Sequence, residues 1–130
     1  MTKQNKSEKR LSINEKIKLK REIDKIFSSK IFVYHFPIKL IIADSDNQSQ
    51  QVNYKVIFIV PKRKIKKAVK RNLIRRRMKE AYRLNKSLLP NTNNKMLLAF
   101  VYIGTNACAY SEIEQKIILT LQKLNQNQTK

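Results

Sequence analysis

A run of positive charge with helical periodicity is the feature that most constrains this sequence. From residue 62 to residue 83, twelve of 22 residues are Lys or Arg, and Glu80 is the single acid. On a helix, with 100° per residue, six polar side chains fall within about 140° of one another: Arg71, Asn72, Arg75, Arg76, Lys79 and Arg83. Apolar residues such as Ile74 and Met78 fall on the other side. The run predicts a helix over 66–84, closed by Asn85, that packs on one side and presents cations on the other.

Stability of the helix alone does not explain this arrangement. Like charges four residues apart cost a few tenths of a kcal/mol per pair, and a solvated face selected for stability would intersperse Glu. The whole chain has 29 Lys and Arg against 9 Asp and Glu, a formal charge of +20. Such an excess predicts a polyanionic partner. Nucleic acid is the first candidate, and an anionic membrane surface is the second.

The membrane interpretation has little support. The sequence contains no stretch of about 18 uncharged apolar residues that could span a bilayer. Residues 1–10 are polar and charged, without the apolar core of a signal peptide. Cys108 is the only cysteine, which excludes an intramolecular disulfide and a zinc site made of cysteines. We therefore expect a cytoplasmic protein with no membrane partner.

Hydrophobic periodicity and capping patterns predict the other elements. Ser12 and Glu15 form a capping box before a first helix, and Ser111 and Glu114 form another before the last one. Pro37 cannot donate a ladder hydrogen bond, so its end of the strand is expected at a sheet edge. The predicted elements are, in chain order, helix 12–28, strands 31–34, 36–43 and 54–60, helix 66–84, strand 96–103, which is apolar on both faces and therefore central, and helix 111–124.

These elements predict one α+β domain spanning residues 1–130. It has a small mixed sheet of about four strands and three helices, in the order α-β-β-β-α-β-α. The strand–helix–strand connection from 60 to 96 could join two parallel neighbours, with a right-handed crossover by the general rule. Residues 1–10 are expected to form a loose basic arm, and residues 125–130 a flexible polar tail.

The sequence offers no convincing catalytic constellation. A protein nuclease needs paired carboxylates for metal ions or a histidine acid–base pair. His35 is the only histidine, and its apolar neighbours on a strand predict a packed spectator. Asp44 and Asp46 could hold a metal weakly, although two acids in a loop more often mark a turn. We therefore predict no catalytic residues and no metal ligands of its own.

Residues 68–83 (Ala-Val-Lys-Arg-Asn-Leu-Ile-Arg-Arg-Arg-Met-Lys-Glu-Ala-Tyr-Arg) resemble the signature helix of the bacterial ribonuclease P protein subunit. That family's pattern is Ala-Val-x-Arg-Asn-x-x-Lys/Arg-Arg-x-x-Arg/Lys-Glu. The similarity covers most of the chain. The first helix carries Ile23 and Phe27 four residues apart, where the family has an apolar or aromatic pair, and the basic turn 60–64 precedes the signature helix. The family usually has Gly-Asn where this chain has Lys66 and Lys67.

The resemblance implies a fold and a function. The implied fold is similar to the second domain of ribosomal protein S5 and contains a left-handed βαβ crossover, against the general rule. The implied partners are the catalytic RNA of ribonuclease P, bound one to one, and precursor tRNA. The RNA would remove the 5′ leader using Mg²⁺ that it binds mainly itself, so the protein alone is not expected to be catalytic.

The resemblance also implies two sets of site residues. The set expected to bind RNA is Lys62, Arg63, Lys64, Lys67, Lys70, Arg71, Asn72, Arg75, Arg76, Lys79 and Arg83. The leader strand is expected in a cleft between the first helix and the sheet, formed by Ile23, Phe27, Phe36 and Lys39. Aromatic rings beside basic groups suit single-strand binding, because stacking contributes ~1–3 kcal/mol per base. The two phenylalanines could equally be core residues.

Two other functions stay open at this point. A ribosomal or other RNA-scaffold protein would have the same size and charge. A DNA-binding module would place the basic helix in a major groove. The second is disfavoured, because a groove-reading helix needs Asn, Gln or Ser between its arginines and only Asn72 is present.

Overall fold

The computed structural model describes residues 15–47, 50, 52–90 and 94–128, with side chains to residue 125. The described elements are α1 Lys20–Ser28, β1 Ile31–His35, β2 Ile38–Asp44, β3 Tyr54–Ile59, α2 Ala68–Asn85, a 3-10 turn at Lys86–Leu88, β4 Met96–Tyr102 and α3 Tyr110–Gln128. The predicted α+β class and the order of helices and strands are confirmed. The basic arm 1–10 and Ser12 lie outside the described residues.

The four strands form one mixed sheet in the order β1-β2-β4-β3. β1 pairs with β2 and β2 with β4 in antiparallel fashion, whereas β3 and β4 are parallel. β4 is therefore central, as its apolar run on both faces predicted. The connection from β3 through α2 to β4 joins parallel neighbours, and the left-handed crossover implied by the resemblance stays a prediction.

One face of the sheet is covered by α2 and α3. Its core is made of alternate strand residues and the inner faces of the two helices, including Leu40, Leu98, Phe100, Ile74, Met78, Ile113 and Ile117. The buried ring of Tyr82 lies 5.9 Å from that of Phe58 and 5.5 Å from that of Phe100, between ring centroids. Such aromatic pairs add ~0.5–1.5 kcal/mol each to the burial term. This cluster determines which side of α2 faces the sheet.

The opposite face of the sheet is only partly covered, by α1. Ile26, 1% exposed, packs there in a small cluster with Ile17, Ala43, Leu97 and Ala99. The helix covers the part of the face near the end of β2, and the strand residues beyond it stay accessible. A second surface is thus available on the side of the sheet away from α2.

The predicted first helix was wrong for residues 15–19. Residues 15–19 are not α-helical, and α1 begins at Lys20. Lys16 forms a parallel bridge with Val56, and the N–H of Ile17 donates to the Val56 carbonyl at 3.1 Å. Ile17 becomes buried in this position. The segment gains more by burying Ile17 and hydrogen-bonding part of the open edge of β3 than it would gain as a helix. This tertiary contact therefore overrides the local helix propensity.

The prediction for Pro37 was also wrong. Pro37 lies in the turn between β1 and β2, after a cis Phe36–Pro37 peptide bond, rather than inside a strand. β2 is paired on both sides, so β1 and β3 form the edges of the sheet. The turn still satisfies its backbone, because the Pro37 carbonyl accepts a hydrogen bond from the Ile103 N–H at 2.8 Å.

Helix ends differ from the capping predictions. Asn85, predicted to close the helix as a residue that tolerates the left-handed conformation, is the last residue of α2 and has φ −119°, outside the left-handed region. Its side-chain N–H group instead donates to the Ala81 carbonyl at 2.8 Å and to the Glu114 carboxylate at 3.0 Å. Ser111 lies inside α3, which begins at Tyr110 and continues to Gln128 rather than ending at 124. No Gly or Pro follows Leu124 to stop it.

Candidate nucleic-acid interface

The positively charged helix α2 begins with a contact made by one of its own arginines. The helix has no side-chain N-cap hydrogen bond at Lys67. Arg71 reaches back instead, and its guanidinium donates to the carbonyls of Ile65 at 3.0 Å and Lys66 at 2.7 Å. Ile65 is buried, so this contact fixes the turn before the helix. Arg71 is therefore half-buried and partly structural, while its positive charge stays at the surface.

The outward side of α2 carries several cations that have no acidic partner among the described residues. Asn72, Arg76 and Lys79 are exposed, and the half-buried Arg75 donates to the side-chain oxygen of Asn72. Within the described residues, no carboxylate lies within 4 Å of the charged groups of Arg75, Arg76 or Lys79. These cations are available to an anionic partner.

Arg83, the last residue of the predicted outward face, differs from these cations because it has an acidic partner. Its guanidinium forms a two-point ion pair with Glu80, with nitrogen–oxygen distances of 3.0 and 2.6 Å. The hydrogen bond to this carboxylate raises the pKa of Arg83 above its ordinary value. The Arg83 side chain is only 18% exposed. The structure thus places Arg83 on the predicted face but gives it an internal partner.

Two further parts of the predicted set surround the start of α2. Lys62 and Arg63 are exposed in a turn that the Pro61 carbonyl closes by accepting from Lys64 and Ile65 N–H groups, each at 3.1 Å. Lys67 and Lys70 are exposed as well. Lys70 precedes Lys79 by nine residues, which places it about 180° away around the helix. Exposed cations therefore lie around the first turn of α2, and beyond that turn they lie on one side of the helix.

Three of the described acids form ion pairs away from the outward face of α2. Three ion pairs connect distant parts of the chain: Lys25–Asp46 at 2.7 Å, Lys55–Glu22 at 3.0 Å and Lys86–Glu15 at 3.0 Å. They join α1 to the end of β2, α1 to β3, and the segment before α1 to the end of α2. These three acids connect separate elements of the fold, and among the described residues Arg83 is the only cation on the outward face of α2 with an acidic partner.

A second surface carries exposed aromatic side chains. Phe27 projects outward from α1 with 59% of its surface exposed, whereas its neighbour Ile26 is buried. Phe32 and Tyr34, each 53% exposed, project from β1 onto the face that α1 only partly covers. The ammonium group of Lys39 lies 4.5 Å from the centre of the Phe32 ring. We call Phe27, Phe32, Tyr34 and Lys39 the aromatic cleft, after the cleft between the first helix and the sheet that the resemblance implies.

The structure separates one predicted cleft residue from the others. Phe36 is 57% exposed but lies in the β1–β2 turn. The end of α1 is held at the other end of this hairpin, where the Ser29 hydroxyl hydrogen-bonds to the Ile42 carbonyl. Ile23 is half-buried against the small cluster under α1. Phe27 is thus exposed on α1, Lys39 is half-buried beside the Phe32 ring, and Phe36 lies in the turn at the end of the hairpin opposite the one that Ser29 contacts.

Sequence reasoning missed Phe32 and Tyr34. The signal that could have found them is the alternation within β1, where Val33 is buried and its two neighbours face the other way. That pattern predicts which residues share a face. It does not tell which face a helix leaves open.

Comparison with known proteins identifies the family. The family model described as Ribonuclease P matches residues 11–125, which include α2 and the aromatic cleft. The chain belongs to the ribonuclease P protein family. A relative from Porphyromonas gingivalis (strain ATCC 33277), named ribonuclease P protein component, is 27% identical over 122 residues, covering 90% of this chain and 88% of that protein. A protein of the same name from Chlorobaculum tepidum is 36% identical over 63 residues, covering 42% and 41%.

Solved structures of ribonuclease P proteins share the fold. The Thermotoga maritima protein matches with a TM-score of 0.67 at 16% identity, covering 84% of this chain and 96% of that one. The Staphylococcus aureus protein matches with a TM-score of 0.66 at 15% identity, covering 84% and 94%. The resemblance based on residues 68–83 is confirmed, and the chain is a protein component of a ribonuclease.

Side chains that could bind a metal ion do not cluster in the part of the chain that the structure describes. Within the described ranges, no three His, Cys, Asp or Glu side chains come together as a metal site. Asp46 pairs with Lys25, and His35 is half-buried at the end of β1. In the same ranges, none of the helices combines the length and apolar character needed to cross a membrane.

Proposed function

We propose that this ribonuclease P protein binds the catalytic RNA subunit through α2 and holds the 5′ leader of precursor tRNA in the aromatic cleft. The observation that carries the proposal is the row of uncompensated cations at Arg75, Arg76 and Lys79 on a helix whose other side is fixed in the core. A polymer of phosphates is the partner that such a row fits, because each neutralised phosphate releases condensed counterions.

The aromatic cleft supports the second part of the proposal. An unpaired leader offers base faces that stack on rings and phosphates that attract ammonium groups. Phe27, Phe32 and Tyr34 supply rings, and Lys39 supplies a charge beside them. None of these contacts depends on a particular base edge, so leaders of many sequences can bind.

The hydrolysis itself is proposed to take place at the RNA. Mg²⁺ prefers oxygen ligands, and RNA phosphates supply them, whereas the outward face of α2 offers cations. The protein then acts by neutralising repulsion between two polyanions, the RNA subunit and the precursor. One protein would serve one RNA, and we expect the complex to work in the cytoplasm.

Reconstitution with the cognate RNA subunit tests this function. At low Mg²⁺, added protein should increase cleavage of precursor tRNA at the mature 5′ end, and the effect should shrink as Mg²⁺ rises. Protein alone should cut nothing. Lys79→Gln should reduce the stimulation, whereas Lys123→Gln, which removes an exposed charge from α3, should not. Cleavage by RNA-free protein, or no stimulation at any Mg²⁺ concentration, would reject the proposal. A protein that binds RNA without stimulating cleavage would instead fit an RNA-scaffold role.

A further inference from the structure

A groove along the outer edge of β3 is separate from the aromatic cleft. It has a volume of about 450 Å³ and lies between this edge, α2 and the segment before α1. Its floor is apolar, formed by Ile17, Val56, Ile57 and Phe58. This volume is within the ~300–1,000 Å³ range of pockets that hold small ligands. The groove is large enough for one nucleotide and too small for a duplex.

The rim of the groove is cationic on both sides. Arg75, Arg76 and Lys79 line it from α2, and Lys16 lines it from the segment that bridges to Val56. Lys16 is exposed, and no carboxylate lies within 4 Å of its ammonium group in the described part of the chain. An apolar floor between such rims suits a base with its phosphate, because the base can leave water while the phosphate meets the cations.

The edge of β3 adds hydrogen-bonding groups to this floor. The Val56 carbonyl points outward, since it accepts from the Ile17 N–H. Backbone groups of alternate residues in a strand point the same way, so the N–H and C=O of Phe58 also point outward. Among the described segments, no backbone hydrogen bond continues this pairing beyond Val56. Phe58 thus presents one donor and one acceptor side by side, the pattern that complements the edge of a nucleobase.

We propose that this groove binds a single unpaired nucleotide of RNA. The base lies on the apolar floor with its edge at the Phe58 backbone, and its phosphate lies between Lys16 and Lys79. The groove opens beside the outward face of α2, so the assignment of the nucleotide to a particular RNA rests on the proposed function. The inference that the groove binds a nucleotide does not depend on that function. A strand-forming acidic peptide is the competing occupant. The apolar floor and separated cations favour a base with a phosphate.

Amide NMR of the full chain with mononucleotides tests the nucleotide chemistry. AMP and ribose 5-phosphate carry the same phosphate, and only AMP has a base. AMP should bind at least about fivefold more tightly, the low end of what one stacked base contributes, and should shift the Phe58 and Ile17 amides. Equal affinities, or AMP shifts confined to Phe27, Phe32 and Tyr34, would overturn the proposal. So would an acidic peptide that moves the Phe58 amide when AMP does not.

Two variants separate the groove from general charge. Lys16→Gln should weaken AMP binding about threefold or more, while Lys123→Gln, which also removes one exposed lysine charge, should leave it unchanged. Equal losses in both would mean that AMP senses only net charge, which contradicts the proposal.

The source of the nucleotide is tested in the reconstituted complex. A photocrosslinker on Lys16→Cys, in a Cys108→Ser background, should attach to an unpaired nucleotide of the RNA subunit. Crosslinks only to paired segments, or none in an active complex, would overturn the assignment to that RNA. If the protein binds AMP but does not stimulate cleavage by the RNA subunit, the proposed function fails and the groove proposal stands.

Discussion

The charge of Lys79 should be visible directly in the salt dependence of RNA binding. Lys79 and Arg83 lie four residues apart on the same side of α2, yet their surroundings differ. Lys79 is exposed and has no acidic partner among the described residues, whereas Arg83 is held by Glu80 at two points. We expect Lys79→Gln to flatten the salt dependence, and we expect removal of the whole Arg83–Glu80 pair to leave it nearly unchanged.

The magnitude follows from counterion release. Each phosphate contact contributes about 0.9 to the slope of log K against log salt on a duplex, and about 0.7 on a single strand. Between 50 and 200 mM salt, a fourfold change, one contact therefore accounts for about a threefold change in affinity. Over this salt range, the affinity of the Lys79→Gln variant should therefore fall about threefold less than that of the unsubstituted protein. The double variant Arg83→Gln/Glu80→Gln removes one charge of each sign and, by this reasoning, no phosphate contact.

Filter binding or fluorescence titration of the RNA subunit over this salt range measures the slopes, with Lys123→Gln as the control. An unchanged slope for Lys79→Gln would show that its ammonium group does not contact phosphate. An equal loss in the double variant would show that Arg83 leaves Glu80 for the RNA. Either result refutes the inference from ion pairing to binding.

Two other predictions concern the cleft and the core. Phe27→Ala should weaken binding of a single-stranded leader RNA by ~1–3 kcal/mol but change the free energy of unfolding by less than about 0.5 kcal/mol, because the ring is exposed. Replacing its buried neighbour, Ile26→Ala, should instead lower the free energy of unfolding by ~2–5 kcal/mol in urea. The reverse pattern would contradict the placement of both residues. Burial raises the pKa of Tyr54 to about 12, so the folded state keeps this phenol protonated at pH values where the unfolded chain ionises it. The contribution of this phenol to the free energy of unfolding is therefore fully present below pH 10 and is lost as the pH rises toward 12. Tyr54→Phe should therefore lose less unfolding free energy between pH 8 and pH 11 than the unsubstituted protein, and an equal loss would rule out Tyr54 as a contributor.

The sheet and α2 could be predicted because their patterns are local. Alternating apolar residues in β3 and the continuous apolar run in β4 each indicate a strand without knowledge of its neighbours. The segment 15–19 could not be predicted, because its conformation depends on Val56, some 40 residues away along the chain. A capping box and helical spacing favoured a helix there, and a tertiary contact overrode them.

The candidate site, too, could be predicted where it follows from local pattern and not where it depends on tertiary contacts. Helical geometry alone placed Asn72, Arg76 and Lys79 on one outward face. It could not distinguish Arg83, whose charge is used by Glu80, or Arg71, which holds the turn before its own helix. The positions of Phe36, in the β1–β2 turn, and of Phe32, on the face that α1 partly covers, could not be predicted for a related reason. Their positions relative to α1 depend on how the β1–β2 hairpin turns, which the spacing of aromatic residues does not encode.

A chain with a charge of +20 must fold against its own repulsion, and the placement of its acids shows how it does so. Glu15, Glu22 and Asp46 each pair with a lysine from another part of the fold, where an ion pair joins elements as well as removing charge. Within the part of the chain that the structure describes, Arg75, Arg76 and Lys79 receive no such partner. Their mutual repulsion is tolerated because Tyr82 and Met78 fix the other side of the helix in the core. A phosphate chain that relieves this repulsion on binding gains affinity from it, so the same unpaired charges that weaken the free protein strengthen its complex.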